Sequence, residues 1–182
     1  MTNRLIFVSH APTALTRRAA FPADVPIEAG QPKGELSRIV AAVSGPERRC
    51  VQTGRLFGLE PAVDPALRDW DHGTWAGHTL DEINITDPAG VAAWLADPSS
   101  TPGGGDSLLA VLGRVGAWLD GTAYPAGRVA VFTHPAIIRA AVVHALGAEP
   151  RSFWRIDVAP LSRTTLSGTP GRWTLSEIAR AV

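Results

Sequence analysis

The sequence predicts an α/β fold, a three-layer α/β/α sandwich on a mostly parallel central sheet. Two observations carry that expectation. The runs Leu5 to Val8 and Arg128 to Thr133 are short, rich in β-branched and aromatic residues and almost free of polar alternation, the pattern of strands buried on both faces. Segments with helical start and stop signals separate them, and strands that alternate with helices make a parallel sheet covered on both sides. No internal repeat, low-complexity tract or linker interrupts the 182 residues, so 1–182 reads as one domain.

The elements follow in order. Leu5 to Val8 is the first strand. Gly34 to Val43 reads as an amphipathic helix that ends in a short strand. Pro46 to Gly58 is a helix with proline in its first turn and glycine as its stop. His78 to Ile83 and Asp87 to Asp97 are short helices, the second capped by Asp87 ahead of Pro88. Thr101 to Gly105 is a loop, and the helix after it starts at Asp106 or Ser107. The second buried strand runs from Arg128 into His134, and the helix behind it opens at Pro135 and stops at Gly147. Leu161 to Gly168 and Arg172 to Ile178 alternate around a Gly/Pro turn, as a hairpin at a sheet edge does.

Hydrophobic residues at 45% and charged residues at 19% suffice for a core. Lys+Arg and Asp+Glu number 17 each, so no basic excess marks a nucleic-acid or acidic-membrane surface. Any anion would be met by a few local arginines. Cys50 is the sole cysteine, which excludes an intrachain disulfide and fits a reducing compartment. The N-terminal apolar run is too short for a signal-peptide core or a membrane span, and Arg139 and His144 interrupt the apolar stretch Ala136 to Ala148. The expectation is a soluble, cytoplasmic protein with no nucleic-acid or membrane partner.

Both buried strands end alike. "LIFVS" runs into His10 and "VAVFT" into His134; each histidine follows a small hydroxyl residue and precedes alanine or proline. Ligands of open α/β sheets bind beyond the carboxyl ends of the strands. One such histidine alone reads as a satisfied strand end; the matched pair points to a shared ligand site.

Five blocks, in order, give the chain a resemblance. Ser9-His10-Ala11-Pro12-Thr13 resembles the Arg-His-Gly-x-Thr opening of the histidine phosphatase superfamily, phosphoglycerate-mutase-like branch. Gly45 to Thr53 is similar to Ser-Pro-x-x-Arg-Ala-x-Gln-Thr, and Asp69 to Gly77 to Glu-x-x-x-Gly-x-Trp-x-Gly. "PGGGDS" resembles Pro-Gly-Gly-Glu-Ser, and Thr133 to Arg139 resembles Ser-His-Gly-x-x-Ile-Arg. The resemblance implies a phosphoglycerate-mutase-like fold and a histidine acid phosphatase-type phosphomonoesterase that needs neither cofactor nor metal. The extra segments that close over a sugar-acid in the family's mutases are not matched, which favours hydrolysis of a small-molecule phosphate ester over transfer.

The resemblance also implies roles. His10 would be the nucleophile and become a phosphohistidine, since a neutral imidazole nitrogen is nucleophilic near pH 7. Arg49 and His134 would hold the phosphoryl oxygens. Asp69 would protonate the leaving oxygen, with a pKa raised by burial beside phosphate. Ser9, Thr13, Thr133 and either Arg17 or Arg18 would complete the substrate pocket. The loops Phe21 to Lys33 and His78 to Gly105 would read the rest of the substrate.

Competing readings stand beside these. Arg48 is adjacent to Arg49, but the Gln52-Thr53 match selects Arg49 as the inward residue. Asp71 competes with Asp69, and spacing to Gly73 and Trp75 selects Asp69. His72 and His78 with these aspartates lack a recognised metal-ligand spacing. Gly103 to Gly105 reads as a plain loop rather than a phosphate cradle, and the six tryptophans as core and pocket wall.

Ser9 stands where the family has a phosphate-gripping arginine, a loss of about 1.5–3 kcal/mol for each charged hydrogen bond. Ala11 replaces glycine and Asp69 is one methylene shorter than glutamate. The alternative function is therefore a degenerate relative that binds a phosphorylated ligand or partner without turnover.

Overall fold

The computed structural model describes residues 3–28, 30–32, 34–123 and 125–181. Ala29 and Lys33, inside the first loop expected to read the substrate, lie outside the described residues. The described chain forms one six-stranded sheet of order β3-β2-β4-β1-β5-β6. Its strands are β1 (Asn3–Ser9), β2 (Ile39–Ser44), β3 (Ala62–Val63), β4 (Arg128–Thr133), β5 (Ser162–Thr169) and β6 (Arg172–Ala181). The first four run parallel; β5 and β6 form the expected antiparallel hairpin, with β5 against β1.

The helices are α1 (Ala14–Arg17), α2 (Arg48–Leu56), α3 (Leu80–Thr86), α4 (Pro88–Ala96), α5 (Leu108–Gly121) and α6 (Pro135–Leu146). Strand alternation divides the core. Leu5, Phe7, Val129 and Val131 face α5 and α6, where they join Val111, Val115, Leu119, Ile137 and Ile138. Ile6, Val8, Ala130 and Phe132 face the other side, against Leu36, Phe57 and Leu59 around α2. That is the three-layer arrangement the sequence predicts.

Caps place the helix starts where short polar side chains satisfy free amides. Ser107, not Asp106, accepts from Ala110 to start α5. Asp87 accepts from Gly90 at the start of α4. Thr79 and Glu82 make a capping box on α3. Pro46 lies two residues before the first residue of α2, just ahead of its N-cap Glu47. Gly147, at φ 57°, closes α6 in the left-handed region that glycine tolerates best.

The helix expected within Gly34 to Val43 is absent. Arg38 has φ 57°, which no helix interior accepts, and β2 begins directly after it. Leu36, Ile39 and Ala42 still pack on the Ile6–Phe132 face. Their spacing of three mimics a helical stripe, but an extended chain with one left-handed residue delivers it.

Candidate active site

The register of the two central strands creates the site. β1 and β4 pair in parallel with Ser9 opposite Thr133, so both chains leave the sheet side by side at the same edge. His10 and His134 are consequently buried neighbours, their ring centroids 5.4 Å apart.

His10 Nδ1 lies 2.8 Å from the Ala11 carbonyl oxygen, an acceptor only, so Nδ1 carries the proton. The neutral ring therefore keeps its lone pair on Nε2. Burial first, then His134 and Arg49, lower the His10 pKa to about 4, so the ring is neutral at pH 7. The loop behind it is fixed by Thr53, whose Oγ1 accepts the Ala11 amide at 2.9 Å and donates to the Arg49 carbonyl at 2.6 Å.

Helix α2 turns Arg49 inward and leaves Arg48 exposed, as the Gln52-Thr53 match indicates. Arg49 Nη1 donates to the Ala23 carbonyl at 2.7 Å, and Nη2 donates to Asp69 Oδ2 at 2.6 Å. Gln52 holds the Ala23 segment in place by accepting the Ile27 amide at 3.0 Å. The loop bearing Asp69 is tied to α5: Arg114 donates to the carbonyls of Ala66, Arg68 and Asp69.

Asp69 lies against both Arg49 and His134. Burial alone would raise its pKa, but His134, with Nδ1 3.2 Å from Oδ2, and Arg49 together hold it below the ordinary aspartate value. The carboxyl group is ionised here, whereas the sequence expectation of a raised pKa concerns the group beside a phosphate.

Glu47 is a site residue that the sequence reading missed. Its Oε2 lies 2.8 Å from His134 Nε2, and its Oε1 accepts the Asp69 amide at 2.9 Å. Both nitrogens of His134 thus face carboxylate oxygens. The only signal was its place at the first variable position after Pro46. Cys50, where the family pattern has alanine, sits with Sγ 3.2 Å from His134 Nε2, and burial pushes its thiol pKa up. Glu47, Cys50 and His134 each present a donor atom within 4.8 Å of the others, so among the described residues they are the group that could hold a metal ion. The Asp69, Asp71, His72 and His78 set does not gather; His78 is exposed beside Glu82.

A cavity of about 350 Å³ opens over this floor. His10, Arg49 and Asp69 line its base, with Pro135 and Ala136 from the first turn of α6, whose positive dipole end suits an anion. Thr13 lines the cavity as expected, although its hydroxyl caps α1 by accepting from Thr16. Four expected site residues do not line it: His134 is fully buried, its ring nitrogens against the Glu47 and Asp69 carboxylates, and three others lie elsewhere. Ser9 and Thr133 are fully buried in the strand ends, and Thr133 donates to the Leu67 carbonyl. Arg17 is exposed and paired with Glu28, while Arg18 sits near Glu82. Four-residue α1 turns both arginines outward, so neither fills the gap left by Ser9.

Arg139, four residues into the helix that follows His134, does line the cavity. It stood in the fifth sequence block, yet without a role. The wall above is aromatic: Phe21, Trp70, Trp94, Phe153 and Trp154. Trp75, Trp118 and Trp173 belong to the core, so the tryptophans divide between core and pocket wall. The glycines of 103–105 are a tight-packing loop: a Cβ on Gly105 would stand 2.1 Å from the Asp71 carbonyl.

The protein is a mostly parallel α/β sandwich with two buried histidines at the carboxyl edge of its central strands. The family model of the histidine phosphatase superfamily, branch 1, matches residues 31–180, and the chain belongs to that family. The matched span begins after His10. The "Bifunctional protein Rv2228c" of Mycobacterium tuberculosis is 35% identical over 146 residues, covering 74% of this chain and 40% of that protein. The chain thus spans about 40% of the length of the curated relatives it matches. The fold is similar to that of the mycobacterial glucosyl-3-phosphoglycerate phosphatase Rv2419c, with a TM-score of 0.76, 23% identity and 100% of both chains covered. It is also similar to a phosphoserine phosphatase mutant from Entamoeba histolytica, solved with phosphoserine, at TM-score 0.78 and 18% identity over 97% of this chain and 96% of that one. Among the described residues no helix is long and apolar enough to cross a membrane.

Proposed function

We propose that this chain is a metal-independent phosphomonoesterase that works through a phosphohistidine on His10. Family membership supports phosphatase-type chemistry, and two similar folds belong to proteins named as phosphatases. The observation that carries the mechanism is the tautomer of His10: Nδ1 is committed to the Ala11 carbonyl, which leaves Nε2 unprotonated at the cavity floor.

In the proposed reaction the ester phosphate enters over Arg49 and His134 and displaces the Asp69 carboxylate from both. A dianion so close raises the pKa of Asp69, which then takes up a proton. His10 Nε2 attacks phosphorus in line; the bond to the ester oxygen breaks, and Asp69 gives that oxygen its proton, releasing the alcohol. Ionised Asp69 next accepts a proton from water as the water oxygen attacks phosphorus. The P–N bond breaks, and phosphate and neutral His10 are restored. Charge on the equatorial oxygens is met by Arg49, His134 and the first turn of α6.

One observation favours the rival reading of a phospho-ligand binder. Ser9 leaves the floor without its usual arginine, and its buried hydroxyl has no partner among the described residues. Hydrolysis of an aryl phosphate in the presence of chelator separates the two, with His10→Ala as control. Turnover that disappears in the variant is the expected result. Turnover that survives in His10→Ala, or that requires added metal, overturns the mechanism. Phosphate binding with no turnover establishes the binder.

A further inference from the structure

Above its charged floor the cavity carries few polar groups, and most of them are already committed. The Thr13 and Thr16 hydroxyls bond to one another's backbone in the α1 cap. His72 is buried, its pKa lowered chiefly by that burial, and its Nδ1 donates to the Trp70 carbonyl at 2.9 Å. The Trp70 indole donates to the Asp106 carbonyl at 2.8 Å. Two buried donors on lining residues have no partner among the described residues: Trp94 Nε1 and Arg139 Nε. The Arg139 guanidinium carbon lies 5.6 Å from the centre of the Phe153 ring, which fixes its flat group against the wall.

The remaining surface is built of rings. Trp94 packs edge-on against Phe21 and Trp154, with centroids 5.4 Å and 4.8 Å away. Mutual packing holds these faces in place before any ligand arrives, and such surfaces favour flat apolar groups. A polyol or sugar would bring several hydroxyl donors to a wall where His72 Nε2 is the one uncommitted side-chain acceptor above the floor among the described residues. Each hydroxyl left without a partner would weaken binding.

We propose that the substrates of this site are phosphomonoesters of apolar, ring-bearing alcohols. The ring seats against Phe21, Trp94 and Trp154, and an acceptor atom faces Arg139. The proposal rests on the phosphatase reading for turnover, but not for binding.

Two esters of primary alcohols, naphthylmethyl phosphate and glycerol 3-phosphate, remove most of the difference in leaving-group reactivity. The expected kcat/KM is at least tenfold higher for the naphthylmethyl ester. Equal values, or a preference for the glycerol ester, overturn the proposal. Leu80, 40% exposed at the cavity rim, offers a variant that leaves the core intact. Leu80→Asp should raise KM for the naphthylmethyl ester severalfold and leave inhibition by inorganic phosphate unchanged; equal effects on both count against a ring subsite. If neither ester is hydrolysed, the phosphatase reading fails alone. Tryptophan fluorescence then reads the same question from naphthylmethylphosphonate against inorganic phosphate. At least tenfold tighter binding of the phosphonate supports the subsite, and equal binding overturns it.

Discussion

Asp69→Asn tests the double duty of one carboxylate. In the ligand-free site Asp69 Oδ2 accepts from Arg49 Nη2 at 2.6 Å and faces His134 Nδ1 at 3.2 Å, while Oδ1 accepts the Trp70 amide at 2.8 Å. An amide keeps the shape but removes the charge, and it has only one acceptor oxygen for these donors. Stripping one charge from a buried ion pair costs about 3–5 kcal/mol; the retained oxygen reduces this to about 2–4 kcal/mol of folding stability. Phosphate binding should move the other way. An incoming dianion no longer competes with a carboxylate for Arg49 and His134. Two like charges about 4 Å apart repel by about 4 kcal/mol at the effective dielectric of a protein surface. Capturing only about a third of that, about 1.4 kcal/mol, tightens phosphate binding roughly tenfold. Turnover should fall by about 10²–10⁴ for an alkyl ester, whose leaving oxygen needs the proton, and much less for a nitrophenyl ester. Denaturant unfolding, calorimetric phosphate titration and kcat on the two esters read the three effects. Weaker phosphate binding in the variant would refute the competition argument, and equal loss on both esters would refute the role as acid.

Other outcomes follow from the same geometry. His10 has a folded-state pKa of about 4 against an ordinary value of 6.5, so the unfolded chain takes up its proton first. Stability falls as pH drops from about 6.5 towards 4, by about 3 kcal/mol in all from this group, and His10→Ala should flatten that slope; an NMR titration of the ring that gave an ordinary midpoint would contradict it. Thr53→Val leaves the buried Ala11 amide without its acceptor and should cost about 1–3 kcal/mol, read as a lower Tm. The same variant should lower kcat, because the loop behind His10 loses its tie to α2; an unchanged kcat would show that the loop is held elsewhere.

Much of the fold was legible because it rests on local rules. The apolar runs ending in His10 and His134 could only be buried strands, and Pro135, Gly147, Asp87 and Ser107 punctuate helices through backbone geometry that operates within a few residues. The failure at Gly34 to Val43 has the same root. Period-three apolar spacing is ambiguous, and only the sheet face that Leu36, Ile39 and Ala42 cover resolves it. The chemistry-bearing residues His10, Arg49, Asp69 and His134 were legible as residue types in order. Their protonation was not, because it depends on neighbours distant in sequence. Asp69 is held ionised by Arg49 and His134, 20 and 65 positions away. Glu47 carried no distinguishing pattern, Arg139 matched a block without a role, and Arg17 looked like a pocket cation until the short α1 turned it towards Glu28. The sequence by itself determined the sandwich and the strand ends, since these follow from periodicity and local propensity, while the candidate site residues were legible only through the family resemblance. Tertiary structure alone decided the tautomer of His10, the ionised Asp69 and the aromatic wall, because charge and burial depend on distances in space that sequence order does not encode.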